Sequence, residues 1–216
     1  MDVLARLDQA RAANNILEHP FYRRWSAGKL GASELSCYAG EYRHAVIALA
    51  DACALAAAKA TPADAPLLRA HAAEEAAHVA MWDEFARATG ARPEGGAEAL
   101  AETETCVQAW TQGEDLLEHL AVLYAIEASQ PEVARTKLDG LTAHYGYSSE
   151  GPAVVYFTTH EQRDLEHARE GGALIEGLMA DEQAPEEKAE RMVSRAEAAL
   201  RGNQVLLDGV ERCGGR

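Results

Sequence analysis

The sequence predicts an all-α protein, and three observations carry that prediction. Alanine supplies about a fifth of the 216 residues and, with Leu and Glu, fills the long segments; these are strong helix formers. Val, Ile and Thr never gather in the alternating runs that a half-buried strand requires. Helix starts and stops are also legible along the chain. A first helix runs from Asp2 to Glu18 and ends before Pro20. Gly28 and Gly31 mark a turn, and Ser33 with Glu34 opens a second helix that continues to Lys59. Thr61-Pro62-Ala63-Asp64 is a capped loop, and a third helix follows to Thr89, stopped by Gly90. A polar stretch from Gly90 to Gly96 separates it from helices expected at about 97–111, 114–129, 131–145, 151–180 and 185–211. The connections are short, so neighbouring helices should pack antiparallel. No repeat or low-complexity linker divides the chain, so residues 1–216 are read as a single domain with a frayed tip at about 212–216.

Composition removes several function classes. With 20 basic against 35 acidic residues the formal charge is −15. Phosphate backbones need a basic stripe and anionic membranes need basic clusters; the chain has neither, so no nucleic-acid or membrane partner is expected. No apolar run approaches the ~20 residues of a membrane span, and the first 15 residues lack the apolar core of a signal peptide. A cytoplasmic protein is the expectation. Cys37, Cys53, Cys106 and Cys213 have no metal-type or redox-type spacing and read as four free thiols.

The chemistry concentrates in four segments. His160, Asp164 and His167 are spaced i, i+4, i+7, which places them on one helical stripe. The same phase carries the apolar residues Tyr156, Val155 and Leu174, so the stripe is expected to face inward, where two imidazoles and a carboxylate are costly unless a metal or one another pairs them. A second segment, His71-Ala72-Ala73-Glu74-Glu75-Ala76-Ala77-His78, holds an E-x-x-H pair in Glu75 and His78, with Glu74 an i, i+4 alternative. E-x-x-H on a helix is the ligand pattern of carboxylate-bridged di-iron bundles. Glu127 lies on the apolar face of Leu120, Leu123 and Tyr124, and either ligates a metal or pairs with Lys137 or Arg135. Glu41, in Cys37-Tyr38-Ala39-Gly40-Glu41, is a fourth candidate that could equally face solvent. Imidazole and carboxylate donors without cysteine suit iron, or manganese, better than structural zinc. Six or seven such donors are too many for one ion and suit two, with positions left open for O₂ as co-substrate.

Two further elements give the chain a family likeness. His19-Pro20-Phe21-Tyr22 with Trp25, Gly28 and Leu30, then Tyr38-Ala39 with Tyr42, and later Tyr156-Phe157 with His160, Asp164 and His167-Ala168, resemble the heme-oxygenase-like di-iron oxidases. The nearest branch is the CADD-like one, the chlamydial proteins associating with death domains, with TenA-like and PqqC-like proteins as more distant relatives. The resemblance covers about residues 10–180. It implies a heme-oxygenase-like bundle of about seven helices and ligands at Glu74, His78, Glu127, His160, Asp164 and His167. Other branches of the family point instead to Glu75 and add a carboxylate at the position of Glu41. For the CADD-like branch it implies 4-aminobenzoate formation for folate, with a protein tyrosine as ring source and a lysine as amine donor. The matching residues are Tyr22, with Tyr38 and Tyr156 nearby, and Lys137; a tyrosine of that branch is replaced here by Ile126.

Two iron ions, O₂, an external reductant and a homodimer are the resulting expectations, with either a small molecule or the protein's own tyrosine as substrate. Arg43 or Arg163 is the candidate partner of an acidic substrate. The competing readings are a metal-free TenA-like hydrolase, which needs a buried Cys beside a Glu, and an acidic interaction protein, which needs no buried His cluster at all.

Overall fold

A computed structural model describes residues 2–93 and 98–214. Among them are nine α-helices, one 3-10 turn and no strand: α1 Val3–Ala13, α2 Pro20–Ser26, α3 Ala32–Ala58, α4 Ala65–Ala88, α5 Ala101–Thr111, α6 Leu116–Glu127, α7 Gln130–His144, α8 Pro152–Ala180 and α9 Pro185–Gly214.

The single first helix expected from Asp2 to Glu18 is instead α1 followed by a 3-10 turn at Ile16–Glu18. Asn14 ends α1 by turning its side-chain amide back onto the Ala10 carbonyl, 2.8 Å away. Pro20, read as a terminator, also starts a helix: it occupies the first turn of α2, where its missing N–H costs nothing, and the His19 ring accepts the Phe21 N–H at 3.2 Å. Gly28, at φ +65°, then reverses the chain toward α3. Gly31 donates its N–H to the Glu34 carboxylate at 2.8 Å and opens that helix. The predicted start at 97 lies outside the described residues; α5 begins at Ala101.

The cysteines of the C-terminal end are another correction. α9 runs to Gly214, residues 215 and 216 of the expected frayed tip lie outside the described residues, and Cys213 forms a disulfide with Cys37 of α3. Of the four thiols expected to be free, Cys53 and Cys106 are, and both are buried. Arg24 reinforces the same end by bridging Glu34 (2.5 Å) and Glu211 (2.9 Å).

The core is aromatic at one end. Phe21 and Trp25 of α2 pack on Tyr38 of α3, Tyr38 and Tyr42 pack on Trp82 of α4, and Trp82 packs on Phe157 of α8, all buried. Two indoles are fixed by backbone carbonyls: Trp82 donates to Ala39 at 2.8 Å and Trp25 to Lys137 at 3.2 Å. A close approach permits the second, because a Cβ at Gly140 would collide with the Trp25 indole. Helices α4, α6 and α8 pack around the other half of the interior.

Candidate metal centre

Seven donor residues converge between α4, α6 and α8. Helix α4 contributes His71, Glu75 and His78, and α8 contributes His160, Asp164 and His167. Each triad has the spacing i, i+4, i+7, so each lies on one stripe of its helix. Glu127, the last residue of α6, completes the set. Glu75, Glu127 and Asp164 are at most 2 % exposed.

Glu75 is the hub. Its Oε1 lies 3.1 Å from His78 Nδ1, 3.7 Å from His167 Nδ1 and 4.0 Å from His71 Nε2, and its Oε2 lies 3.8 Å from His160 Nε2. Glu127 Oε1 is 2.8 Å from His71 Nε2, and Asp164 Oδ1 is 3.7 Å from His167 Nδ1. Two compact donor groups therefore share Glu75, one with His78 and His160 and the other with His71 and His167. A third group joins His71 to Glu127 and Cys53.

The electrostatics are those of a site built for a cation. Burial pushes Glu127 and Asp164 up from the usual carboxylate range. Burial acts on Glu75 in the same direction, but the nearby imidazoles of His160 and His78 overcome it and hold that carboxyl well below the range. His167 is depressed by burial, yet the adjacent Asp164 carboxylate and the charges of Glu127 and Glu75 lift it to about 9. His71, His160 and His167 are thus drawn toward the protonated form beside the carboxylates, and a divalent cation does the same work by displacing those protons. Hydrogen bonding points to the cation too. Glu75 Oε1, Glu127 Oε1, both Asp164 oxygens, His78 Nδ1, His160 Nε2 and both His167 nitrogens are buried without a well-formed hydrogen bond. His160 Nδ1 donates to the Tyr156 carbonyl at 2.7 Å, which leaves the Nε2 lone pair directed at the cluster.

Two of the predicted ligands lie elsewhere. Glu74 points outward, its two oxygens 2.5 and 2.7 Å from Arg163, and only its edge comes within 3.4 Å of His167. Of the two carboxylates left open, Glu75 lies inside the cluster and Glu74 at its edge, because one residue rotates a helical side chain by about 100°. Glu41 accepts the Leu100 N–H at 3.1 Å and the Thr103 hydroxyl at 2.6 Å, so it ties α3 to the start of α5 and does not join the cluster. Neither candidate arginine is free: Arg43 pairs with Asp83 at 2.6 Å and Arg163 with Glu74 and Glu166.

His71 is the donor that the sequence reading passed over. It repeats on α4 the spacing that identified His160 on α8, and that signal would have found it. Cys53, too, lies nearer the cluster than its sequence context suggested, with Sγ 3.8 Å from His71 Nε2. Burial raises its thiol well above the ordinary value, the opposite of what a TenA-like nucleophile needs.

Beside the cluster is a closed aromatic compartment. Lys137 of α7 is 1 % exposed, and its Nζ lies 4.6 Å from the centre of the Tyr42 ring, 5.7 Å from Tyr38 and 5.9 Å from Tyr22. Among the described residues no carboxylate pairs with it; Glu127 pairs with His71 and Arg135 with Glu161. Burial lowers the Lys137 amine to about 7, against a weak opposing pull from Asp164. Tyr22 and Tyr38 share a hydrogen bond of 3.3 Å, and Tyr156 stacks on the His160 ring at 3.9 Å. Burial raises all three phenols well above their ordinary value, so they are neutral.

Comparison with known proteins agrees with this donor chemistry. The chain is 33% identical over 192 residues to a 4-aminobenzoate synthase of Chlamydia trachomatis, covering 84% of this chain and 83% of the relative. It is 31% identical over 226 residues to a 4-aminobenzoate synthase of Nitrosomonas europaea, covering 95% and 89%. Among solved structures, a heme-oxygenase-like domain of unknown function from Shewanella denitrificans superposes with a TM-score of 0.81 at 21% identity over 98% of this chain and 93% of that one. A TenA homologue from P. horikoshii gives 0.78 at 14% identity over 99% and 100%. These two share the fold. The family model that describes iron-containing redox enzymes matches residues 36–203, and the chain belongs to that heme-oxygenase-like family of oxidoreductases.

Proposed function

We propose that this chain is a di-iron oxidase that forms 4-aminobenzoate, with Tyr22 as ring source and Lys137 as amine donor. One observation supports this most: a buried seven-donor cluster adjoins a buried compartment that holds an amine among tyrosines. Curated relatives named 4-aminobenzoate synthase point to the same product.

The donors fit the implied ions, because the buried unpaired atoms of Glu75, Glu127, Asp164, His78, His160 and His167 are hard or borderline ligands that suit iron or manganese. Glu75, His78 and His160 would hold one ion, and His71, His167 and Glu127 the other, with Asp164 beside His167. Bound iron, with electrons from an external reductant, supplies the reduction of O₂ to an oxidant strong enough to attack a phenol.

The protein's own groups do the rest. Tyr156, stacked on His160, bridges the cluster to the aromatic compartment. Tyr38 holds the Tyr22 hydroxyl and so fixes its ring. Both tyrosines are fixed to the scaffold, which makes any attack on them intramolecular. Lys137, at about 7, is roughly half neutral at physiological pH, and only the neutral amine has the lone pair that an aminating role needs. The surrounding rings exclude water that would quench an oxidised phenol.

The test is Tyr22→Phe in iron-loaded protein. Aminobenzoate formation should vanish while iron content and O₂ consumption persist, and the wild-type protein should lose a tyrosine side chain by mass after one turnover. Wild-type yields from Tyr22→Phe would remove Tyr22 as the ring source and favour a free small-molecule substrate.

A further inference from the structure

We propose that the leucine-walled pocket between α4, α6 and α8 is the site through which dioxygen reaches the metal centre, an inference that rests on the iron reading above. The walls are Leu67 and Leu68 of α4, Leu120 and Leu123 of α6, and Leu174 of α8. Leu67 is 42% exposed, while Leu120 and Leu123 are 2% and 3% exposed, so the lining runs from the surface into the core. The same pocket is bounded by His71, Glu127 and His167, three of the seven donors. The His71 and His167 rings lie 3.9 Å apart, and each belongs to a donor group that includes Glu75 or Glu127.

Size and polarity select the occupant. The free space is about 20 Å³, which holds about one molecule of water or of a diatomic gas. An aromatic acid or a redox protein's cofactor is far larger. The leucine walls offer water no hydrogen-bond partners, so the polar groups on the pocket are those of the donors His71, Glu127 and His167 and of Tyr124 and Glu170, and an anion would surrender its hydration against the leucines. Glu170, also on the pocket, adds negative charge that disfavours an anion further. A small apolar molecule loses nothing on entry. On the opposite side of the cluster Tyr156, Trp82 and Phe157 are all buried. The arrangement separates the two faces of the centre, with O₂ arriving among the leucines and the reacting side chains held among the aromatics.

Gly171 provides the probe. It lines the pocket, and a Cβ built there would have no neighbour within 4 Å, so a side chain can leave the helix at this point without a clash at its first carbon and then compete for the pocket's space. Its position inside α8 means that Gly171→Leu also improves helix propensity, by about 0.5–1 kcal/mol, and the variant should fold. Leu174→Trp enlarges a wall residue as a second plug. Gly177 is on the same helix, has the same open surroundings and lies off the pocket, so Gly177→Leu is the control.

Xenon, which occupies dry apolar cavities, reports on the pocket whether or not iron is bound. Crystals of the wild type under xenon pressure should show the atom among the five leucines, and both plugged variants should lose it. In anaerobically Fe(II)-loaded protein mixed with O₂, iron oxidation should slow at least tenfold in both plugged variants at unchanged iron content, with Gly177→Leu like wild type. Absence of xenon from the wild-type pocket, or its displacement by both plugs with no slowing, overturns the inference. Failure of the wild type to bind iron would refute the iron reading instead, and the xenon arm would still report on the pocket.

Discussion

Replacing Lys137 with methionine should stabilise the protein, and the gain should depend on pH. Burial takes the Lys137 amine from 10.5 to about 7. At 1.36 kcal/mol per pH unit, that drop means the fold pays about 4–5 kcal/mol to hold this side chain relative to the unfolded chain. Cation–π attraction from the surrounding rings, at about 0.5–2 kcal/mol, offsets part of this, so Lys137→Met should gain about 2–4 kcal/mol at pH 7. The sign of the pH dependence follows from the depressed value. Below about 7 both states bind the proton and the full penalty is present. Between about 7 and 10.5 the unfolded chain binds a proton that the folded one lacks, so wild-type stability rises with pH. Above 10.5 the penalty is gone. Urea unfolding of both proteins at pH 6.5, 8 and 9.5 should therefore give a stability difference that shrinks steadily as pH rises. A difference constant across that range would refute the reasoning, because it would mean that the amine titrates normally in the fold. Aminobenzoate formation should be lost in Lys137→Met at every pH.

Three other expectations follow from particular contacts. Glu75→Gln should abolish binding of both ions, whereas Glu74→Gln, which removes only the pair with Arg163, should leave iron stoichiometry unchanged by elemental analysis. His71→Ala should reduce the iron content from two ions toward one per chain. It should also weaken the rise in melting temperature that anaerobic Fe(II) gives the wild type, expected at about 5–10 °C for an ion at 100 times its dissociation constant. Gly140→Ala should destabilise the fold by about 1–3 kcal/mol, measured by denaturation, because the new methyl meets the Trp25 indole; an unchanged midpoint would show that α2 can shift without cost.

Much of the centre was legible in the sequence because its donors follow helical geometry. His160, Asp164 and His167 stand out by spacing alone as an inward stripe that either binds a metal or pairs internally, and Glu127 stands out as a lone carboxylate on an apolar face. His71 has the same spacing relative to Glu75 and His78, but its helix is so rich in alanine that no contrast of large and polar residues marks the inward stripe. Glu41 failed for the opposite reason: its flanks are apolar, yet its carboxylate faces the N-terminal turn of α5, where the Leu100 N–H and Thr103 satisfy it. Neither the Cys37–Cys213 disulfide nor the placement of Lys137 has a local signal. The cysteines are 176 residues apart, and only the return of α9 across α3 brings them together. Lys137 is buried because Gly140, one turn along α7, lets Trp25 pack close.

The burial of Lys137 is best understood together with that of the cluster. A stable helical bundle has no need of a desolvated amine, nor of three carboxylates packed among four imidazoles; each lowers stability on its own. The two lie on either side of Tyr156 and Trp82, near enough for the charge of Asp164 to act on Lys137. Cations at the cluster would cancel the carboxylate charge that now favours protonated lysine. Metal loading should therefore shift Lys137 further toward its neutral form, which is the form an aminating role requires. The same cations would relieve the repulsion between Glu127, Glu75 and Asp164. Two costly features of the fold are thus linked in sign: cations at the cluster would relieve one and would favour the neutral form of the other.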